Sequence, residues 1–219
     1  MNDIIELIKT GNNEGLARLF AQNPNAADGR MADGLSFLQL AAYYRNAEAV
    51  RLFREYKQHF DIFEAACVGE HQRLDALIRE QPNLVNTFSS DGFTALGLAC
   101  FFGHYDCVKL LLNSNANPNI AANNAFKVAP IHSACAISNY EIAELLLKNG
   151  ANPNAVQQQN VTPLHSAAHR GQTKLTELLL DFGANINAKT EEGQTPLAMA
   201  LAGNHLEIVD FLKREGGVS

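Results

Sequence analysis

The chain contains seven histidines and four cysteines, whose side chains could bind a metal ion or act in acid–base and nucleophilic chemistry. Sites of this kind need such residues in a defined motif or within hydrogen-bond reach of an orienting partner. The sequence contains no phosphate-binding glycine loop, dinucleotide fingerprint, zinc-protease motif, nucleophile elbow or EF-hand loop. His59, His71 and His169 show no ligand-type spacing. We therefore expect no catalytic residue, no metal site and no cofactor, and we predict that the chain is not an enzyme.

The composition is that of an ordinary globular protein. Of 219 residues, 47% are hydrophobic and 18% are charged, which argues against wholesale disorder. A net charge of −6 argues against a dedicated nucleic-acid-binding protein, which normally carries a basic face. The longest apolar run, at 93–102, is too short to span a bilayer, and the acidic first residues do not resemble a secretion signal. We expect a cytoplasmic protein with no membrane contact.

A seven-residue motif recurs along the chain at a nearly constant spacing. The copies read TPLAMAL at 195–201, TPLHSAA at 162–168, APIHSAC at 129–135, TALGLAC at 94–100, FDIFEAA at 60–66 and SFLQLAA at 36–42, with a degenerate copy at 2–8. From the last copy backwards, the spacings are 33, 33, 35, 34 and 24 residues. Such a period is the signature of a repeat architecture.

Each of the clearest units also closes in the same way. Three leucines at 110–112 precede NANPN at 115–119, and the same arrangement recurs as GANPN at 150–154 and GANIN at 183–187. Together these motifs resemble the ankyrin repeat over essentially the whole chain. The resemblance implies an all-α solenoid of about seven stacked helix-turn-helix units with β-turn loops, forming a single domain. The unit boundaries are approximately 1–30, 31–57, 58–88, 89–123, 124–156, 157–189 and 190–219, with the first and last units acting as caps.

The residues of one unit agree with this resemblance. Thr162 and Thr195 are good helix N-caps, and a proline follows each at the first helical position, where no hydrogen-bond donor is lost. Gly69, Gly103 and Gly171 can end the first helix in a left-handed turn that only glycine adopts without strain. A unit of this size cannot bury its own apolar face, so its stability must come from stacked neighbours.

Two spacings depart from the period. The 24-residue step leaves about nine residues missing between the second and third units. We expect the second helix of the second unit to run almost directly into the next unit through 57–59, with a local irregularity or a notch in the wall. The 35-residue step predicts an enlarged loop at 121–127.

The repeat also accounts for most histidines and cysteines. His132 and His165 occupy the fourth place of the motif, where the resemblance implies a hydrogen bond to the turn. Cys100 and Cys135 occupy a small-residue position and lie too far apart for a disulfide. Cys107 is expected in the core, whereas Cys67 is expected to be the one reachable thiol. The asparagines of the closing turns are interpreted as turn-forming residues rather than ligands.

In proteins of this family the loops and the residues just before the glycine at the middle of each unit vary and contact partners. Here these positions begin aromatic, continue apolar and end polar or basic, which favours an interaction site over a merely solvated surface. The predicted partner-binding groove comprises Tyr43, Tyr44, Phe93, Phe101, Phe102, Phe126, Ile137, His169 and Arg170. The alternative is that some of these rings pack beneath a neighbouring loop or fill the space left by the missing one.

The favoured function is a non-catalytic protein–protein interaction scaffold that binds a partner protein or peptide through the concave groove. The alternative is a regulatory or inhibitory subunit of a partner enzyme, since intrinsic catalysis has no support in the motifs. No signal for dimerisation stands out, so we expect a monomer that binds neither nucleic acid nor membrane.

Overall fold

The computed structural model describes residues 2–219, apart from the side chain of Asn2, so residue 1 of the first proposed unit lies outside the described residues. Within 2–219 the chain forms fourteen α-helices, which follow one another as seven pairs numbered here 1 to 7. The first helices of the pairs are α1 (Asn2–Thr10), α3 (Phe37–Tyr43), α5 (Ile62–Val68), α7 (Ala95–Phe102), α9 (Pro130–Ala136), α11 (Pro163–His169) and α13 (Pro196–Ala202). The second helices are α2 (Asn13–Gln22), α4 (Ala47–Tyr56), α6 (His71–Glu80), α8 (Tyr105–Asn113), α10 (Tyr140–Lys148), α12 (Thr173–Asp181) and α14 (Leu206–Arg214). No strand occurs in this part of the chain.

Capping explains where the first helices begin. The N-cap side chains of α3, α5, α7, α11 and α13 each accept a hydrogen bond from the backbone N–H three residues ahead. Thr162 and Thr195 are two of these caps, as predicted, and Pro163 and Pro196 follow them at the first helical position. Each cap satisfies a donor that the helix itself leaves free.

The end of each first helix repeats one backbone geometry. The residue just before the N-cap of each second helix has a positive φ in every pair, as at Gly69, Gly103 and Gly171. Glycine adopts this left-handed conformation without strain, which confirms the expected turn. Pairs 2, 5 and 7 place Arg45, Ser138 and Asn204 there instead, with φ of 54°, 59° and 56°.

Small residues let the first helices stack closely. In the first helices of pairs 2 to 7, the alanine near the middle is fully buried, at positions 41, 65, 99, 134, 167 and 200. The first helices of pairs 2 to 7 pack each on the first helix of the next pair, so the apolar core runs along the array. The core is divided near the short connection at 57–61: one section spans pairs 1 and 2 and reaches Cys67 and Val68, and a second continues from Ile62 to Ala184, just after pair 6. A third, smaller section joins Ala168 to the buried residues of pair 7.

The asparagines of the closing turns link neighbouring pairs. The side chain of Asn119 donates to the carbonyl of Gly150 at 2.9 Å and accepts from the backbone of Asn152 at 2.7 Å. Asn154 bonds to Gly183 and Asn185 in the same way. The interpretation of these residues as turn-forming is therefore confirmed, and their side chains also join each turn to the next.

Where the loop is missing, the short connection between pairs 2 and 3 is held by a buried ion pair and its neighbours. Lys57, in the short connection between α4 and α5, has a side chain only 1% exposed, and its ammonium nitrogen lies 3.1 Å from the fully buried carboxylate of Glu64 and 3.2 Å from Asp28. On the same side, Arg30 pairs with Asp61 at 2.7 Å. Buried charges are tolerated when they are paired. The direct connection agrees with the prediction, whereas the ion pairs that stabilise it are not evident from the repeat.

Candidate protein-binding groove

Three predicted groove residues form one aromatic cluster. The ring of Tyr43, from α3, lies 6.0 Å from Phe101 and 5.4 Å from Phe102, both from α7, measured between centroids. Helix α5 packs against both α3 and α7, and it ends in the shorter side chains Cys67 and Val68. Because these side chains are short, rings from pairs 2 and 4 meet across pair 3.

A polar contact holds the same cluster from the loop side. The Tyr43 hydroxyl donates to the carboxylate of Asp91 at 2.6 Å, and the Ser89 hydroxyl also donates to Asp91. Burial, followed by the adjacent carboxylate, raises the pKa of Tyr43 far above its usual range, so this phenol stays protonated.

The loops on either side of the missing one contact each other. A Cβ atom built on Gly34, in the loop of pair 2, would lie 3.1 Å from the Cβ of Ser90, in the loop of pair 4. The expected irregularity is therefore a local closure, in which pair 4 reaches past pair 3 to pair 2. An open notch between these two loops is not found.

A cleft of about 470 Å³ begins beside the aromatic cluster. Five of the nine predicted residues line this central cleft, namely Tyr43, Phe101, Phe102, Ile137 and Arg170, together with Ala42, Arg45 and Ala136. The structure thus brings together residues from pairs 2, 4, 5 and 6. The resulting wall is mainly apolar and carries two guanidinium groups.

Arg170 also lines a second cleft, so the two clefts adjoin. This C-terminal cleft measures about 350 Å³ and lies between pairs 6 and 7, with His169 and Arg170 on one wall and Gln194 and Met199 on the other. His169 and Arg170 are exposed. We refer to the central and C-terminal clefts together as the groove.

The remaining three predicted residues line neither cleft. Tyr44 is 49% exposed beside Tyr43, and Phe126 is 60% exposed in the enlarged loop, where its carbonyl accepts from the backbone of Gln158. Phe93 is half-buried in the loop before α7. The aromatic residues are therefore divided between a packed cluster and separate exposed rings, and their role in binding a partner stays a prediction.

Arg45 lines the central cleft but is not among the predicted residues. Its backbone is in the left-handed region, which is costly for a residue with a side chain, and such strain is concentrated at functional sites. The repeat contains the signal for this residue, because Arg45 occupies the position that Gly69, Gly103 and Gly171 occupy in other units.

The histidines of the motif are structural. The ring of His132 accepts from the backbone N–H of Ala129 through Nδ1 and donates to the carbonyl of Val161 through Nε2, at 3.3 and 3.2 Å. Burial lowers the pKa of His132 to about 4. His165 makes the equivalent contacts to Thr162 and Gln194, and burial lowers its pKa as well. The predicted bond to the turn is confirmed at both residues.

The cysteines are all free and buried. The prediction that Cys67 is reachable is wrong: this residue is 1% exposed and belongs to the apolar core of pairs 1 and 2. Burial raises its pKa well above the ordinary value for a thiol, and burial raises the pKa of Cys135 to about 12. These thiols are therefore protonated and shielded, which makes them poor nucleophiles.

Two other kinds of feature are absent from the part of the chain that the structure describes. Among residues 2–219, no group of three or more His, Cys, Asp or Glu side chains is placed to hold a metal ion. No helix within that range combines the length and apolar character needed to cross a bilayer.

Comparison with known proteins places the chain among repeat proteins. A family model described as ankyrin repeats (3 copies) matches residues 4–122, 62–157 and 131–218. The mouse protein named Ankyrin repeat and SAM domain-containing protein 6 is 40% identical over 63 residues, which are 29% of this chain and 7% of that protein. The chain thus corresponds to a small part of this relative. With its all-helical stack of seven pairs and a family match along nearly its whole length, the chain belongs to the ankyrin repeat family.

Proposed function

We propose that this chain is a non-catalytic interaction scaffold that binds a protein or peptide segment in the groove. Ankyrin repeats are generally protein–protein interaction modules and generally lack catalytic activity. The observation that carries the proposal is the central cleft, in which aromatic and apolar side chains from three helix pairs converge with two arginines, one of them from a fourth pair. Aromatic residues and arginine are the types enriched where interfaces are energetically important.

The groove is suited to this role because it is built on helices rather than on loops alone. The rings of Tyr43, Phe101 and Phe102 hold one another in place, and the Asp91 carboxylate fixes the Tyr43 hydroxyl. A preorganised surface loses little conformational entropy on binding, so a larger share of its contact energy becomes affinity. The seven units as one domain, the monomeric state and the cytoplasmic location belong to the same proposal.

The test compares one exposed ring inside the groove with one outside it. Phe101 is 38% exposed in the central cleft, and Phe182 is 39% exposed at the end of α12, away from both clefts. Affinity capture from a lysate of the source organism, quantified by mass spectrometry, should recover a partner with wild-type protein and with Phe182→Ala. Recovery should fall at least about fivefold with Phe101→Ala, since truncating an anchor residue commonly costs more than 1 kcal/mol. Equal recovery with both variants would overturn the assignment of the groove.

A further inference from the structure

The nine arginines of the chain differ in whether their charge is paired within the molecule. Six pair with a carboxylate, namely Arg18, Arg30, Arg51, Arg54, Arg73 and Arg79. Arg214 donates instead to the carbonyl of Asp210. In the part of the chain that the structure describes, Arg45 and Arg170 form neither an ion pair nor a side-chain hydrogen bond. Both of them line the central cleft.

The wall between these two arginines is apolar. Phe101, Phe102 and Ile137 lie between Arg45, which follows α3, and Arg170, which ends α11. The whole chain carries a net charge of −6, so the two unpaired positive charges of this cleft stand out against an acidic protein. A ligand that matches this surface needs negative groups toward both ends and an apolar part in the middle.

We infer that the groove binds an extended acidic segment of a partner protein, in which Asp or Glu side chains flank an apolar or aromatic residue. This inference rests on the proposed function and narrows it to one class of partner. The guanidinium groups of Arg45 and Arg170 pair with the carboxylates, because the planar fork of arginine matches a carboxylate bidentately. The apolar residue packs against Phe101, Phe102 and Ile137.

The backbone strain at Arg45 supports this assignment. Glycine avoids the strain at Gly69 and Gly103, and pairs 5 and 7 place short side chains at the equivalent position, whereas the chain carries a long cationic side chain at Arg45. Arg45 makes no ion pair that would compensate for the strain within the molecule. Recognition of a carboxylate supplies a reason for its presence.

The spacing of the helices sets an upper limit on the length of the segment. Arg45 and Arg170 lie four helix pairs apart, which at about 8–10 Å between packed helices is at most roughly 30–40 Å. Because both side chains line the same cleft of about 470 Å³, their guanidinium groups come closer together than that. An extended peptide of about 12 residues is therefore long enough to reach both.

The experiment is a selection from a random 12-residue peptide library displayed on phage, with the full chain as bait. Three variants are selected in parallel: Arg45→Glu with Arg170→Glu, Arg45→Gly with Arg170→Ala, and Arg18→Ala with Arg79→Ala. The last pair is the matched control, because it removes the same charge from two exposed arginines outside the groove. Circular dichroism melting confirms that each variant is folded before selection.

We expect wild-type protein and the control to enrich peptides with acidic residues on both sides of an apolar one. The Arg45→Gly, Arg170→Ala variant should bind these peptides at least about tenfold more weakly, with the loss smaller at high salt. The charge-reversed variant should enrich basic peptides instead. If it fails to fold, the neutral variant alone still decides between the outcomes.

Three results would overturn the inference. In the first, the enriched peptides lack acidic residues, and their binding is lost with Phe101→Ala but not with the arginine variants. The proposed function would then stand, but the partner would not be an acidic segment. Tight binding of a single-stranded RNA 12-mer that depends on Arg45 and Arg170, without acidic peptides, would assign the arginines to phosphate. Failure to enrich any peptide that depends on the groove would count against both the inference and the proposed function.

Discussion

Replacing Arg45 with glycine should stabilise the protein even though it removes a residue of the groove. With φ of 54°, Arg45 is held in the left-handed region, which costs a non-glycine residue about 1–2 kcal/mol. Glycine avoids that cost but gives the unfolded chain more freedom, which offsets about 0.4–1 kcal/mol. We therefore expect the free energy of unfolding to rise by about 0.5–1 kcal/mol, or about 1–4 °C in Tm for a chain of this size.

Other units provide the comparison for this variant. A Cβ on Gly171 would lie 2.6 Å from the ring of His205, and one on Gly69 would lie 2.7 Å from the ring of His104. These rings donate to carbonyls of the preceding unit, at His169 and Cys67. Alanine at Gly171 or Gly69 should therefore destabilise the protein, the reverse of the effect expected at Arg45.

Chemical denaturation followed by circular dichroism measures these differences. The Arg45→Gly protein should unfold at a higher denaturant concentration with an unchanged m-value, while Gly171→Ala unfolds at a lower one. If Arg45→Gly lowers the free energy of unfolding by more than about 0.5 kcal/mol, its side chain makes stabilising contacts. The reasoning that links its strain to ligand binding would then be refuted.

Three further predictions concern buried polar groups. Tyr43→Phe should cost about 1–2 kcal/mol of stability, because it leaves Asp91 without a partly buried hydroxyl donor, and a double-mutant cycle with Asp91→Asn should show coupling between the two sites. Lys57→Met should cost about 3 kcal/mol by leaving the carboxylate of Glu64 in the core without its nearest cation, while the double change with Glu64→Gln should recover most of that loss in urea unfolding; equal losses would contradict the buried pairing. For His132, a folded-state pKa of about 4, below the unfolded value near 6.5, means that its contribution is present above pH 6.5 and is lost as pH falls toward 4. The free energy of unfolding should therefore drop by about 2 kcal/mol between pH 7 and pH 5 through His132 alone, and His132→Gln should remove that part of the pH dependence.

The fold is predictable from the sequence because each unit repeats the same local helix-capping and turn-forming residues. Threonine caps, prolines at the first helical position and glycines at the helix ends act within a few residues, so their effect can be interpreted without knowing the neighbours. The same holds for His132 and His165, whose contacts lie at fixed offsets from the motif. Local consistency of this kind makes repeat proteins easy to recognise.

The features that escape prediction arise between units that are not adjacent in sequence. Cys67 occupies an accessible position of its own unit, but the core of pairs 1 and 2 extends over it and closes access. Because lysine is rarely buried, the sequence predicts an exposed side chain for Lys57. No local pattern indicates that this side chain is buried and paired with Glu64. Of the nine predicted residues, Tyr44, Phe93 and Phe126 lie outside both clefts, because loop length and helix phase decide which rings converge.

The contacts that pass over pair 3 also affect how the array comes apart. In a linear stack each unit touches only its neighbours, so fraying from one end can advance one unit at a time. Here Tyr43 donates to Asp91, and the loop at Gly34 contacts Ser90, so pairs 1 and 2 are joined directly to pair 4. Unfolding pairs 1 and 2 must therefore break these contacts together with the interface between pairs 2 and 3. Pair 3 is thereby held between its neighbours, and under mechanical force the unfolding of pairs 1 to 3 should occur in one larger step.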